Sequence, residues 1–210
     1  MQRHLNRAGI PCVKISLPFG GSSNACFGWE MLDNNSQTIE IVASDSNLYQ
    51  RHKSGAVWKF TGTPCSGNSC PGWQMIANDP RTIDLVAGGT SLYMFQQSGT
   101  IWKFTGTPCN SSGCPGWQLV APSNNGNTKQ VVAGSGELYR LHTNGEIWRY
   151  LGTGQSWEMI DSFSRNIEIG ASSNGLLVRH SAGDVWRFTK PGWMQIQNLT
   201  NTIAITGARP

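Results

Sequence analysis

The sequence predicts an all-β chain: a five-bladed β-propeller of four-stranded antiparallel blades. Three observations predict it. The phrase WKFTGTPCSGNSCPGWQMI, Trp58 to Ile76, returns as WKFTGTPCNSSGCPGWQLV, Trp102 to Val120. Repetition at this period marks supersecondary units that bury their apolar faces only against one another. Each unit divides into four short runs that alternate apolar and polar residues between Gly, Asn, Ser and Pro, which is strand patterning. The first run of the unit occurs five times, and it sets the number of blades.

In chain order, these first runs begin at Thr38, Thr82, Thr128, Asn166 and Thr202. The second runs carry Leu48-Tyr49, Leu92-Tyr93, Leu138-Tyr139 and Leu176-Leu177, and the third carry Trp58, Trp102, Trp148 and Trp186. The fourth begin at Trp73, Trp117, Trp157 and Trp193. These runs predict blades over about 38–76, 82–120, 128–160 and 166–196. A hybrid fifth joins 202–210 to 1–32, so that the N- and C-terminal segments pair in one blade and close a single domain, 1–210. Gly9 to Ser16 stands at the third strand of that blade and Trp29 to Leu32 at the fourth. Closure would remove exposed sheet edges.

With only 13% charged residues, a net charge of +4 and no Lys/Arg run, the composition points away from nucleic acid. No apolar stretch approaches membrane-spanning length, and no secretory leader is visible at Met1, since Arg3, Arg7, Pro11 and Lys14 interrupt it. The expectation is a soluble protein without membrane insertion, cytoplasmic or unconventionally secreted, and a monomer or small homo-oligomer. Cys65 with Cys70 and Cys109 with Cys114 occupy equivalent loops, where either small disulfides or reduced thiols fit. Disulfides would imply an extracellular setting. The pairs lie in different blades without nearby His, so no metal site is expected.

The order of an Ile-rich strand, Leu-Tyr, a turn Gly, Ile/Val-Trp-Lys/Arg-Phe/Tyr and Gly-Trp resembles the tectonin-type repeat, and five such units resemble the tachylectin-like lectins. The resemblance implies a carbohydrate-binding protein with repeated sites for glycans or glycoconjugates. The residues themselves offer aromatic surface and short hydrogen-bonding groups in every unit. Candidate contacts are Tyr49, Tyr93 and Tyr139, and, at the end of the second strand, His52, Gln96, His142 and His180. Asn35, Asn78, Asp79 and Asn125 join them from the loops between blades, expected on the face opposite the Cys loops. No nucleophile elbow, phosphate loop or metal motif appears, so neither enzyme activity nor a cofactor is expected. The alternative is a non-enzymatic scaffold for protein–protein interaction.

Overall fold

A computed structural model describes residues 13–16, 22–25, 30–134, 136–172, 174–190 and 192–205. The chain divides into two compact units, Met1–Asn35 with Thr61–Trp73, and Ser36–Phe60 with Gln74–Pro210.

In the first unit, β1 (Val13–Ser16) pairs antiparallel with β2 (Ser22–Ala25). Trp29–Leu32 was expected as the last strand of this region, but the partner of β1 is Ser22–Ala25, and residues 30–35 form no strand. The rest of the expected hybrid blade before residue 30, Gly9 and Trp29 included, lies outside the described residues.

The remaining strands form four four-stranded antiparallel sheets, each in simple meander order. The first sheet is β3 (Thr38–Ala43), β4 (Leu48–His52), β5 (Ala56–Phe60) and β6 (Trp73–Asn78), and the second is β7 (Thr82–Gly88), β8 (Ser91–Gln96), β9 (Ile101–Phe104) and β10 (Trp117–Ala121). The third is β11 (Thr128–Gly134), β12 (Glu137–His142), β13 (Ile147–Tyr150) and β14 (Trp157–Asp161). The fourth is β15 (Asn166–Ser172), β16 (Gly175–His180), β17 (Val185–Thr189) and β18 (Gly192–Gln197). Four blades stand where five were expected. The fifth innermost run, at Thr202–Ile205, is not a strand, and no closing sheet occurs among the described residues.

Alternation along each middle strand explains why both faces are apolar. On β8, Leu92 and Met94 enter a core with Tyr49, Val57 and Ile76 of the first sheet. Tyr93 and Phe95, on the other face, enter a second core with Val131, Leu138 and Tyr150 of the third sheet. A third core joins Tyr139, Leu141 and Ile147 to Ile169, Leu176 and Val178. The hydrophobic interior is therefore a set of layers between successive sheets, and each fully buried aliphatic side chain contributes about 1.5–3 kcal/mol. Where a layer lacks its second sheet, the same positions open. Ile41 is 62% exposed while its equivalents Leu85, Val131 and Ile169 are buried, and Ile196 is 47% exposed against 0% for Ile76 and Val120.

A bulge recurs near the start of every first strand, between Thr38 and Glu40, Thr82 and Asp84, Thr128 and Gln130, and Asn166 and Glu168. Bulges re-aim the following side chain, and here two of these side chains reach the next sheet. Glu40 accepts a hydrogen bond from the Leu85 N–H at 3.0 Å. Gln130 accepts from the Ile169 N–H and donates to the Ile169 carbonyl, both at 2.8 Å. Later in β7 and β11 the backbones converge so closely that a Cβ on Gly88 would lie 2.7 Å from the Ala133 carbonyl carbon, and one on Gly134 would lie 2.9 Å from the Ser172 nitrogen.

Candidate functional site

The candidate tyrosines are core residues. Tyr49, Tyr93 and Tyr139 are each 2% exposed, and burial raises all three phenol pKa values. The Tyr139 hydroxyl donates to Glu137, which also pairs with Arg149 at 3.2 Å. Their rings are spent on the layers between sheets. Their exposed surface is too small to offer a ring face, unlike what the sequence led us to expect of them.

The His/Gln position begins the turn between second and third strands. Its backbone carbonyl accepts from the turn glycine: Gly55 to His52, Gly99 to Gln96, Gly145 to His142 and Gly183 to His180. The side chains are buried or nearly so and are bonded inward. Gln96 donates to Asp79 at 2.7 Å and accepts from the Trp102 indole at 3.3 Å. His180 Nδ1 lies 2.7 Å from Asp184, which accepts from the Trp186 indole at 2.6 Å. Burial pushes the Asp184 carboxyl up, but these two bonds outweigh it and hold the pKa below its ordinary value. Glu146 plays the same part for His142, at 3.4 Å, and for Trp148, at 3.1 Å. Burial, and then the adjacent Arg140, lower the His142 pKa against the opposing pull of Glu146. His52 stacks on Trp58 with ring centroids 5.6 Å apart. This set organises turns.

Of the loop residues, Asn35, Asn78 and Asn125 are exposed. Asn125 adopts a left-handed φ of 58°, which asparagine tolerates. Asp79 is half-buried, with Arg81 bound across its carboxylate at 2.9 and 2.6 Å. The Arg81 hydrogen bonds, together with the Gln96 bond, hold the Asp79 pKa low despite partial burial.

Asp79 lines a cleft of about 670 Å³. Met75, Ala77, Met94, Trp102, Trp117 and the Cys109–Cys114 loop line it too, together with the exposed Asn78 and Arg81. Asn78 and Asp79, expected opposite the Cys loops, thus share one cleft with one of them. The loop bends over the preceding sheet because the Cys109 N–H donates to the Met75 carbonyl at 3.0 Å. The Trp117 indole donates to the Ile76 carbonyl at 2.7 Å. Cys65–Cys70 and Cys109–Cys114 are both disulfides, each spanning a small antiparallel bridge, Ser66 with Ser69 and Asn110 with Gly113.

Trp102, Trp117, Met94 and Arg81 are not among the candidate contacts read from the sequence. A signal was present. The second-strand position opposite the third-strand Trp is Gln50, Met94, Arg140 and Val178 in successive sheets, a different residue each time. Among the described residues no group of three or more His, Cys, Asp and Glu is placed to hold a metal ion, and no helix is long and apolar enough to cross a membrane.

Sheets succeeding one another through adjacent first strands define the β-propeller class, and the comparisons agree. No protein-family model matches the sequence, and no curated protein matches it. Human WBSCR16 matches over 76% of this chain and 49% of its own, with 13% identity and a TM-score of 0.55. Prp20p from Saccharomyces cerevisiae, described with its binding properties to Gsp1p and histones, matches over 95% of this chain and 62% of its own, with 8% identity and a TM-score of 0.61. Yeast RCC1 (Prp20) bound by Kap60 matches over 71% and 41%, with 9% identity and a TM-score of 0.51. These neighbours are β-propellers, and the present chain spans about half the length of the first of them.

Proposed function

We propose that this protein is a non-enzymatic propeller scaffold that holds a polypeptide at its blade edges, and that the cleft between β6 and the Cys109–Cys114 loop is a contact site. The observation that carries this reading is the cleft itself: about 670 Å³ with two partly exposed tryptophans and charged groups in its lining. Concave sites of this size with apolar walls and few polar groups suit an inserted side chain. The burial of Tyr49, Tyr93 and Tyr139 weighs against the alternative of repeated glycan sites, because it takes away the recurring aromatic faces. Prp20p, similar in fold, is described with protein partners. The two disulfides favour work in an oxidising compartment.

The Cys65 N–H donates to Met31 at 2.8 Å and the Trp73 indole to Leu32 at 2.6 Å, as Cys109 and Trp117 do to Met75 and Ile76 of β6. Arg179 donates to the Thr202 carbonyl at 3.3 Å, as Arg51 does to that of Thr82 at 3.4 Å. The carbonyls of Met31, Leu32 and Thr202 thus accept the bonds that those of Met75, Ile76 and Thr82 accept elsewhere in the repeat.

The test is capture on the immobilised full chain. The same polypeptide should be retained with and without competing monosaccharides, and lost on Ser111→Arg, which fills the cleft from an exposed loop position. Retention that monosaccharides abolish, or that Ser111→Arg leaves intact, overturns the proposal.

A further inference from the structure

The repeat contains its own template for what the cleft accepts. One sheet further on, Arg140, Trp148 and Trp157 occupy the positions of Met94, Trp102 and Trp117, with Arg140 opposite Trp148 as Met94 is opposite Trp102. There the guanidinium of Arg140 lies 4.3 Å from the ring centroid of Trp157 and 5.7 Å from that of Trp148. Its buried Nε has no hydrogen-bond partner among the described residues, and the Glu146 carboxylate attracts the guanidinium through space.

In the second sheet the same two tryptophans remain, but the side chain between them is Met94 and the space is open. Both indole N–H groups are already used, Trp102 toward Gln96 and Trp117 toward Ile76, so what the rings offer is their π-surface. That surface attracts cations, and a planar guanidinium stacks on it better than an ammonium. The carboxylate of Asp79 also lines the cleft, paired with Arg81, whose side chain is 71% exposed.

We propose that the slot between Trp102 and Trp117 receives an arginine side chain of a partner polypeptide, in the place Arg140 fills for itself one sheet on. This rests on the cleft being a polypeptide contact and names the chemistry of the contact.

The test is titration of the full chain with acetyl-Gly-Arg-Gly-amide, followed by NMR at the indole N–H groups. Saturable shifts at Trp102 and Trp117 are expected, with the neutral citrulline tripeptide binding about tenfold more weakly. Met94→Arg, which copies the arrangement around Arg140, should abolish them, and Arg140→Met should create a second site with shifts at Trp148 and Trp157. Citrulline or lysine tripeptides binding as well as arginine overturn the proposal, as do shifts that persist in folded Met94→Arg. The tripeptide comparison needs no variant, so a variant that failed to fold would leave the test decisive. Arginine binding without any captured polypeptide would end the scaffold reading and leave the slot. A captured polypeptide without arginine binding would do the reverse.

Discussion

The indole of Trp117 donates to the backbone carbonyl of Ile76 across the junction between the second and first sheets, at 2.7 Å. Trp157 repeats the bond to Val120 at 2.8 Å. An outermost strand has one edge without a ladder partner, and such edges invite pairing with other chains. These indoles, with the Cys109 N–H on Met75, give the edge carbonyls partners from the next sheet. The outer tryptophans therefore act as fasteners between sheets as well as apolar bulk.

Trp117→Phe keeps a ring for packing against Phe104 and removes the donor. The Ile76 carbonyl then loses its partner, so a stability loss of about 1–2 kcal/mol is expected. Equilibrium urea unfolding measures it. A change within error would mean that the indole bond contributes nothing and that packing alone holds the junction.

A second prediction concerns Asp84. Burial, followed by a hydrogen bond and repulsion from Glu40, raises its pKa from 3.8 to about 7. The folded state therefore holds a proton that the unfolded chain has released. The stabilising contribution is complete below the unfolded pKa near 4 and is lost as pH rises through about 7. Asp84→Asn should remove this dependence and exceed the parent in stability at pH 8 by on the order of 2–4 kcal/mol, the two converging near pH 4. Thermal unfolding across that range reads the difference. Parallel curves for parent and variant would contradict it.

Two glycines with positive φ separate backbone preference from crowding. Gly67, at φ 60°, has open space around a built Cβ, whereas Gly55, at φ 84°, would place one 2.1 Å from the Asp79 carbonyl oxygen. Gly67→Ala should cost about 1–2 kcal/mol, the left-handed penalty alone. Gly55→Ala should cost at least about 3 kcal/mol and disturb Asp79 in the cleft. Equal costs by chemical denaturation would refute the assignment of that close approach.

The strands were legible because their pattern is local. TIDLVAG, SLYMFQQ, TIWKFTG and WQMI each mark an observed strand, and turn glycines separate them. The count of sheets was not, since the run at Thr202 has the residues of a first strand without the pairing of one. The candidate site was read in part. Asn78 and Asp79 do line a cleft, but apolar alternation cannot say which aromatic side chains are used up between sheets, and it was the tyrosines that were. Nor could spacing show that the Cys109–Cys114 loop folds back over the preceding sheet, because that depends on one long-range bond to Met75. The contrast between Met94 and Arg140 was visible as letters and acquired meaning only once Trp148 and Trp157 were seen around the guanidinium.

The last prediction follows from that loop. Cys109 and Cys114 close a very short ring, for which the chain-entropy model gives about 2 kcal/mol. Replacing both by serine should lower stability by about that amount. It should also release the loop from β6, so that the Cys109 amide, now on serine, loses its hydrogen-exchange protection while amides of the second-sheet interior such as Ile101 keep theirs. With the loop gone, the edge of β6 is open to other chains, and the variant should self-associate more readily than the parent by analytical ultracentrifugation. Retained protection at position 109 would show that the Met75 bond holds the loop without the disulfide. Loss of protection without self-association would show that Trp117 alone is enough to guard the edge.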